Sequence, residues 1–338
     1  MNPTDFFMRQ ITALDPNSEA ATRVNNLVAN WHARSHAIGN DDDVKDGSDA
    51  TDMVYESSHL GTFGSMHLLC KRNVARLVRD SVAFQARVGQ SIIVSVVVGL
   101  IFLQIELNQA GVQSFSGAIF FIVVDQFFSA TTPEFASVPL ELPLMKREYN
   151  GGLYRSYVWY IAKNVSELLL QFFFPLIYLI PAYFMIGFGA SNATLFFTFY
   201  LFMALLSSSA TGLGYMVSCI AKTPEVAPIL GILLILPLLI FGGLLINTNN
   251  VPVYLKWLEF ISPMKYAFRG MSRAFWNSID TIPCDSAPCA ATTGAQVLAN
   301  LGHDKQSMGY DVIFLIWINL FFRLIGIVAL WISLRKKK

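Results

Sequence analysis

The sequence predicts an all-α polytopic membrane protein, an amphipathic surface helix followed by six membrane-spanning helices. Hydrophobic residues make up 54% of the 338 residues and charged ones 14%, and the mean hydropathy of +0.48 is too high for an ordinary soluble domain. Six apolar runs after residue 90 approach or exceed the length of about 20 residues that a bilayer demands. Basic residues flank these runs unevenly, gathering on one side of a six-span arrangement.

The chain opens Met1-Asn2-Pro3-Thr4-Asp5, without the basic, apolar and small-residue succession of a cleavable signal. The later helices are therefore expected to direct membrane insertion. From 17 to 59 the chain is polar, with Asp41, Asp42, Asp43, Asp46, Asp49 and Asp52, and reads as a flexible acidic linker because it cannot bury enough surface to order itself. Across 63–88 Cys70, Val74, Leu77, Val78, Phe84 and Val88 share a helical stripe, with Lys71, Arg72, Arg76, Arg79 and Arg87 mostly opposite. That pattern suits a helix lying on a membrane surface.

The expected spans are 90–107, 117–136, 158–187, 193–220, 226–246 and 310–334. The first is short, and the third is long enough to tilt. The surface helix, the 146–163 region, Lys222 and the terminal Arg335-Lys336-Lys337-Lys338 fall on one side, which the positive-inside rule makes cytoplasmic, with both termini. The long loop 247–309 holds Lys256, Lys265, Arg269, Arg273 and Lys305 on the other side, and long loops obey that rule weakly. Cys284 and Cys289 lie in the same loop, where an oxidising compartment would let them pair as a disulfide.

Several function classes find no support in these residues. The net charge of +1 argues against a nucleic-acid partner. None of His32, His36, His59, His67 and His303 falls inside an expected span, and neither a Gly-x-Ser-x-Gly elbow nor a metal-ligand cluster occurs, so no catalytic or metal residue is expected. Repeated pore-lining charges and a carbonyl-rich filter motif are missing too.

Four stretches carry a resemblance: Asn2-Pro3-Thr4-Asp5-Phe6-Phe7, then Glu141-Leu142-Pro143-Leu144-Met145-Lys146-Arg147-Glu148-Tyr149-Asn150-Gly151-Gly152-Leu153-Tyr154-Arg155, then Phe241-Gly242-Gly243-Leu244-Leu245-Ile246-Asn247, and Pro263-Met264-Lys265-Tyr266-Ala267-Phe268. In order and spacing they resemble the transmembrane half of G-subfamily ABC transporters, the white and drug-resistance type with an ABC-2 membrane domain. The resemblance implies the type II exporter fold, with 1–62 as the tail of a nucleotide-binding domain plus linker and 63–338 as the transmembrane domain. Within the latter it implies a connecting helix at 139–150. No Gly-x-x-x-x-Gly-Lys-Ser/Thr loop occurs, so ATP and Mg would be bound by a nucleotide-binding domain and no cofactor by these residues. The chain could be a piece of a longer transporter or a separately encoded permease.

Further expectations rest on the resemblance. Two transmembrane halves, alike or different, would pair and export hydrophobic or amphipathic molecules such as lipids, sterols or drugs by alternating access at the plasma membrane. Cargo would meet Phe121, Val124, Asp125, Phe128 and Ser129 on the second span and Ile229, Leu233, Leu236 and Leu239 on the fifth. Leu244 and Leu245 would form a gate, and Glu141, Arg147 and Glu148 would contact the ATPase. Asp125 stands where relatives commonly carry an amide, and either selects cationic amphiphiles or pairs with Arg323 inside the membrane. A non-transporting dimerisation or regulatory subunit is the alternative function.

Overall fold

The computed structural model describes residues 19–38, 61–189, 192–221, 223–246, 252–284, 289, 291–303 and 306–335. The chain divides into two units, Met1–Ser58 and His59–Lys338. In the first, helix α1 spans Glu19–Ile38, where a flexible linker was expected. It contains neither Gly nor Pro, and its Ala, Leu, Glu and Arg residues favour helix. The acidic run from Asp41 onward and the Asn2 to Phe7 motif lie outside the described residues.

The second unit is helical, with no strand among the described residues. Helix α2 (Thr62–Arg79) is the amphipathic segment, but it stops short of the expected 63–88. Asp80 ends it, and the Asp80 carboxylate accepts the Ala83 amide at 3.2 Å, starting α3 at Ser81–Ile101. Residues 81–88 thus belong to the first apolar helix rather than to the surface helix, and an N-cap of this kind is the local signal for the division.

Helix α4 runs unbroken from Gln109 to Asn150, with Pro133, Pro139 and Pro143 inside it. It joins the expected second span and the connecting helix into one rod about 63 Å long at 1.5 Å per residue, about twice the hydrocarbon thickness. Packed neighbours let membrane helices carry such prolines. Helices α5 (Ser156–Ile186) and α6 (Ala193–Ala221) follow. The fifth apolar helix, α7, covers only Val226–Ile240, not 226–246. Its ladder closes through bonds from the Phe241 amide to Pro237 and from the Gly242 amide to Leu239.

The expected loop 247–309 contains α8 (Lys256–Ile261), α9 (Pro263–Trp276) and α10 (Gly294–Leu301). Helix α11 (Met308–Arg335) ends the described chain. Five helices, α3, α4, α5, α6 and α11, are long and apolar enough to cross a membrane. At 15 residues α7 is shorter than that.

Helix α6 is the hub, packed against α4, α5, α7, α9 and α11. Its last two turns meet α5 and α11 in a second core around Tyr160, Tyr215, Cys219 and Leu330. The larger core fills the rest of the bundle, with Phe127, Phe199, Phe202 and Trp276 fully enclosed. Glycines set the closest crossings: a methyl group at Gly214 of α6 would lie 2.8 Å from the Glu134 β-carbon of α4.

Candidate functional site

The expected cargo residues of α4 share one face. Phe121 is 46% exposed, and Val124, Asp125, Phe128 and Ser129 are half-buried. Neighbouring α7 leaves Ile229 and Leu236 open, whereas Leu239 packs on the core. Leu233, 68% exposed, turns toward an apolar groove of about 450 Å³ shared with Met216, Trp257 and Phe321. The two faces adjoin because Phe135 of α4 presses on Gly231 of α7.

Asp125 lies beside the Tyr178 hydroxyl on α5, and among the described residues it forms no ion pair. The expected alternative, a pair with Arg323, is corrected. Arg323 donates to Asn319 and Asn164, both at 2.7 Å, to Gln171 at 3.2 Å and to the Ser208 hydroxyl at 2.9 Å. Uncharged oxygens on three helices hold this cation inside the bundle, which satisfies its donors without a carboxylate.

The two expected gate leucines differ. Leu244 is half-buried against the main core, while Leu245 is 58% exposed. Between α7 and these residues Gly243 adopts φ of 99°, a left-handed conformation that disfavours side chains. A β-carbon there would meet the His303 imidazole and the Phe268 ring, each at 3.4 Å. Burial, then the nearby Arg269, Arg273 and Lys265, push the His303 pKa down to about 3, so this ring is neutral at physiological pH.

At the opposite end the expected coupling acids are engaged within the chain. Glu148 takes a two-pronged bond from Arg72 of α2, at 2.6 and 3.2 Å, and the Tyr154 hydroxyl at 2.5 Å. The Glu148 bond raises the Arg72 pKa, and burial together with Glu148 raises that of Tyr154. Glu141 accepts Arg76 at 2.6 Å and Lys163 at 2.8 Å. Arg147 stays exposed. The surface helix is thus clamped to α4 by two acids that sequence reading assigned to an external contact.

Two polar clusters escaped sequence reading. Lys163 and Glu167, one turn apart on α5, bond at 2.8 Å while almost wholly buried, and Tyr215 of α6 donates to Glu167. Their i, i+4 spacing in an apolar run was the available signal. Beyond them opens a cleft of about 630 Å³ among α2, α3, α4, α5 and α6, bounded by Ser129, Glu134, Glu141 and Gln171. In the second cluster, Arg269 and Arg273 of α9 converge on Asp311, Arg273 at 3.0 Å, and Arg273 also donates to the His303 carbonyl at 2.5 Å. Lys265 pairs with Glu259 at 2.5 Å, and burial lowers the Lys265 pKa. These are the bases that the sequence left in an exterior loop. Cys284 and Cys289 are joined as a disulfide.

A bundle of apolar spanning helices, with an amphipathic helix clamped against a long second rod, defines an integral multi-pass membrane domain. Residues 65–276 match the family model described as ABC-2 type transporter, and the chain belongs to that family. It is 32% identical over 273 residues to protein white of Drosophila melanogaster, covering 79% of this chain and 39% of that protein. Over 357 residues it is 25% identical to the ATP-binding protein/permease wht-1 of Caenorhabditis elegans, covering 98% and 53%. Over 248 residues it is 26% identical to the broad substrate specificity transporter ABCG2 of Sus scrofa, covering 71% and 38%. The chain thus spans about half or less of the curated relatives it matches and corresponds to the transmembrane part of G-subfamily transporters.

Proposed function

We propose that this chain forms the membrane pathway of an ATP-driven exporter for hydrophobic or amphipathic molecules, working as a pair of transmembrane halves by alternating access. The observation that supports it best is the open face of α4 and α7, where Phe121, Ile229 and Leu236 stay exposed around the half-buried Asp125. Aromatic and aliphatic walls receive flat apolar solutes without demanding a fixed hydrogen-bond pattern. A carboxyl at membrane depth costs about 2.5 to 3.5 kcal/mol on insertion scales, which favours a place beside a second half or a cargo over a place in lipid.

The sequence holds no Gly-x-x-x-x-Gly-Lys-Ser/Thr loop, so ATP and Mg are assigned to nucleotide-binding domains. Those domains would dock at the end formed by α2 and the last turns of α4, with the exposed Arg147 as a contact. In this reading the clamped pairs Arg72 with Glu148 and Arg76 with Glu141 transmit movement between α2 and α4, and Leu244 and Leu245 close the opposite end. The α2 end faces the cytoplasm, and the plasma membrane suits export.

Reconstitution with nucleotide-binding domains in liposomes tests the proposal by cargo-stimulated ATP hydrolysis and cargo movement. Phe128→Ala should weaken apparent cargo affinity by about tenfold, the loss of an aromatic contact worth about 1.4 kcal/mol. Asp125→Asn should reduce transport of cationic amphiphiles more than of neutral ones. An assembled complex that neither moves nor responds to any amphiphile would instead mark a non-transporting dimerisation subunit.

A further inference from the structure

Apart from the α4 and α7 face, the 630 Å³ cleft between the surface helix and the bundle has the composition of a ligand site. The α4 residues Gln126, Ser129, Pro133, Glu134 and Ser137 line it at helical spacing, so one stripe of the long rod is aimed at the space. Apolar side chains from α3 and α5, Phe174 among them, complete the wall.

Charged side chains crowd this cleft. Its lining holds four acids, Asp80, Glu134, Glu141 and Glu167, against three bases, Arg76, Arg87 and Lys163. Arg76 and Lys163 are engaged by Glu141 and Glu167, and Asp80 caps α3. Arg87 rests on the Phe174 ring, 4.6 Å from its centre. Glu134 is left 4% exposed, with the Ser137 hydroxyl, at 3.0 Å, as its hydrogen-bond donor and no ion pair among the described residues. A buried carboxylate without a cation is costly.

A second observation points the same way. Gln171, 4% exposed, lines the cleft, and its amide nitrogen has no hydrogen-bond partner. The orientation of this amide is fixed, since its oxygen accepts Arg323 at 3.2 Å and an arginine can only donate. The donor left over calls for an acceptor.

We infer that this cleft is a binding site for an amphipathic organic monocation, its ammonium group bonded to Glu134 and an acceptor oxygen on the same molecule taken by Gln171. The ammonium group gives Glu134 the cationic partner it lacks among the described residues, and the apolar wall receives the rest of the molecule. This site meets the proposed cargo face at Ser129 but centres on Glu134 and Gln171, and binding to it needs no ATP, so failure of transport would leave the inference standing.

The test uses the full chain in lipid nanodiscs without nucleotide, with dansylcadaverine as the monocationic probe and its N-acetylated form as the neutral control. Probe fluorescence should report saturable binding of the amine and none of the acetylated form. Glu134→Gln should weaken amine binding by about tenfold or more, the scale of one charge-assisted hydrogen bond. Should that variant fail to fold, Ala86→Trp, at an exposed lining position on α3, fills the cleft without touching the buried charges and should weaken binding comparably. Equal binding of the amine and its acetylated form would overturn the inference, leaving a water-filled cleft. Amine binding retained in both variants but lost in Asp125→Asn would also overturn it, by placing the amine on the cargo face.

Discussion

At the α9 end of the bundle, Asp311 is fully buried between Arg269 and Arg273, and the backbone carbonyl of His303 takes one of the remaining donors. At the α2 end, Lys163 is almost as buried, but its partners Glu141 and Glu167 border an open cleft, and Glu134 beside them forms no ion pair among the described residues. Both ends bury charge in an apolar protein, yet one closes around it and the other leaves room. A closed cluster fixes geometry, because removing any member strands the others in a medium that cannot solvate them. An open one can exchange partners, with water or a ligand taking the vacant place. The closed cluster backs the Gly243 turn through His303 and Phe268, and the open one lies where α2 is clamped to α4.

The sharpest way to break this contrast is Asp311→Asn, which removes the buried charge on which Arg269 and Arg273 converge. It should cost about 3 to 5 kcal/mol, seen as a large fall in thermal unfolding temperature in detergent. Lys163→Leu should cost less, about 2 kcal/mol, because Glu141 keeps Arg76 and the cleft admits water to the acids. The double variant Lys163→Leu/Glu167→Gln should recover part of that loss in the same measurement. If Lys163→Leu proved as damaging as Asp311→Asn, the open and closed ends would not differ.

Acidification probes the closed end by itself. His303 is depressed from 6.5 to about 3, so below pH 6.5 the unfolded chain takes up a proton that the folded one refuses. The stability contributed by the neutral ring is complete above pH 6.5 and is lost progressively as pH falls toward 3. Between pH 7.5 and 5.5 the loss should be about 1.4 kcal/mol, and His303→Gln should remove that part of the slope in unfolding at the two pH values. The smallest effect belongs to Glu148→Gln. Its partner Arg72 is 45% exposed, so stability should change by less than about 1 kcal/mol. Coupling of ATP turnover to transport in the reconstituted complex should nevertheless fall, and unchanged coupling would confine the Arg72 pair to a structural role.

The prolines of α4 show where sequence reading reaches its limit. Pro139 opens the expected connecting helix just past the second span, and local preference puts a break there, yet α4 continues through it. Packing against α6 and α5 holds the rod together. Likewise Asp80 looks like one more charge on an amphipathic stripe until its bond to the Ala83 amide divides α2 from α3.

Composition and apolar run lengths by themselves determined that this is a multi-span helical membrane protein, because lipid leaves helix as the way for apolar chain of that length to satisfy its backbone. They also marked the surface helix and the Cys284 and Cys289 pair. Only the tertiary structure decided which charges meet. It set Arg323 among amides and hydroxyls rather than against Asp125, turned the bases of α9 inward onto Asp311, spent Glu141 and Glu148 on α2, and left Glu134 facing a cleft. The physical reason is that hydrophobic burial follows from each segment's own residues, whereas an ion pair depends on distance between residues far apart in the chain.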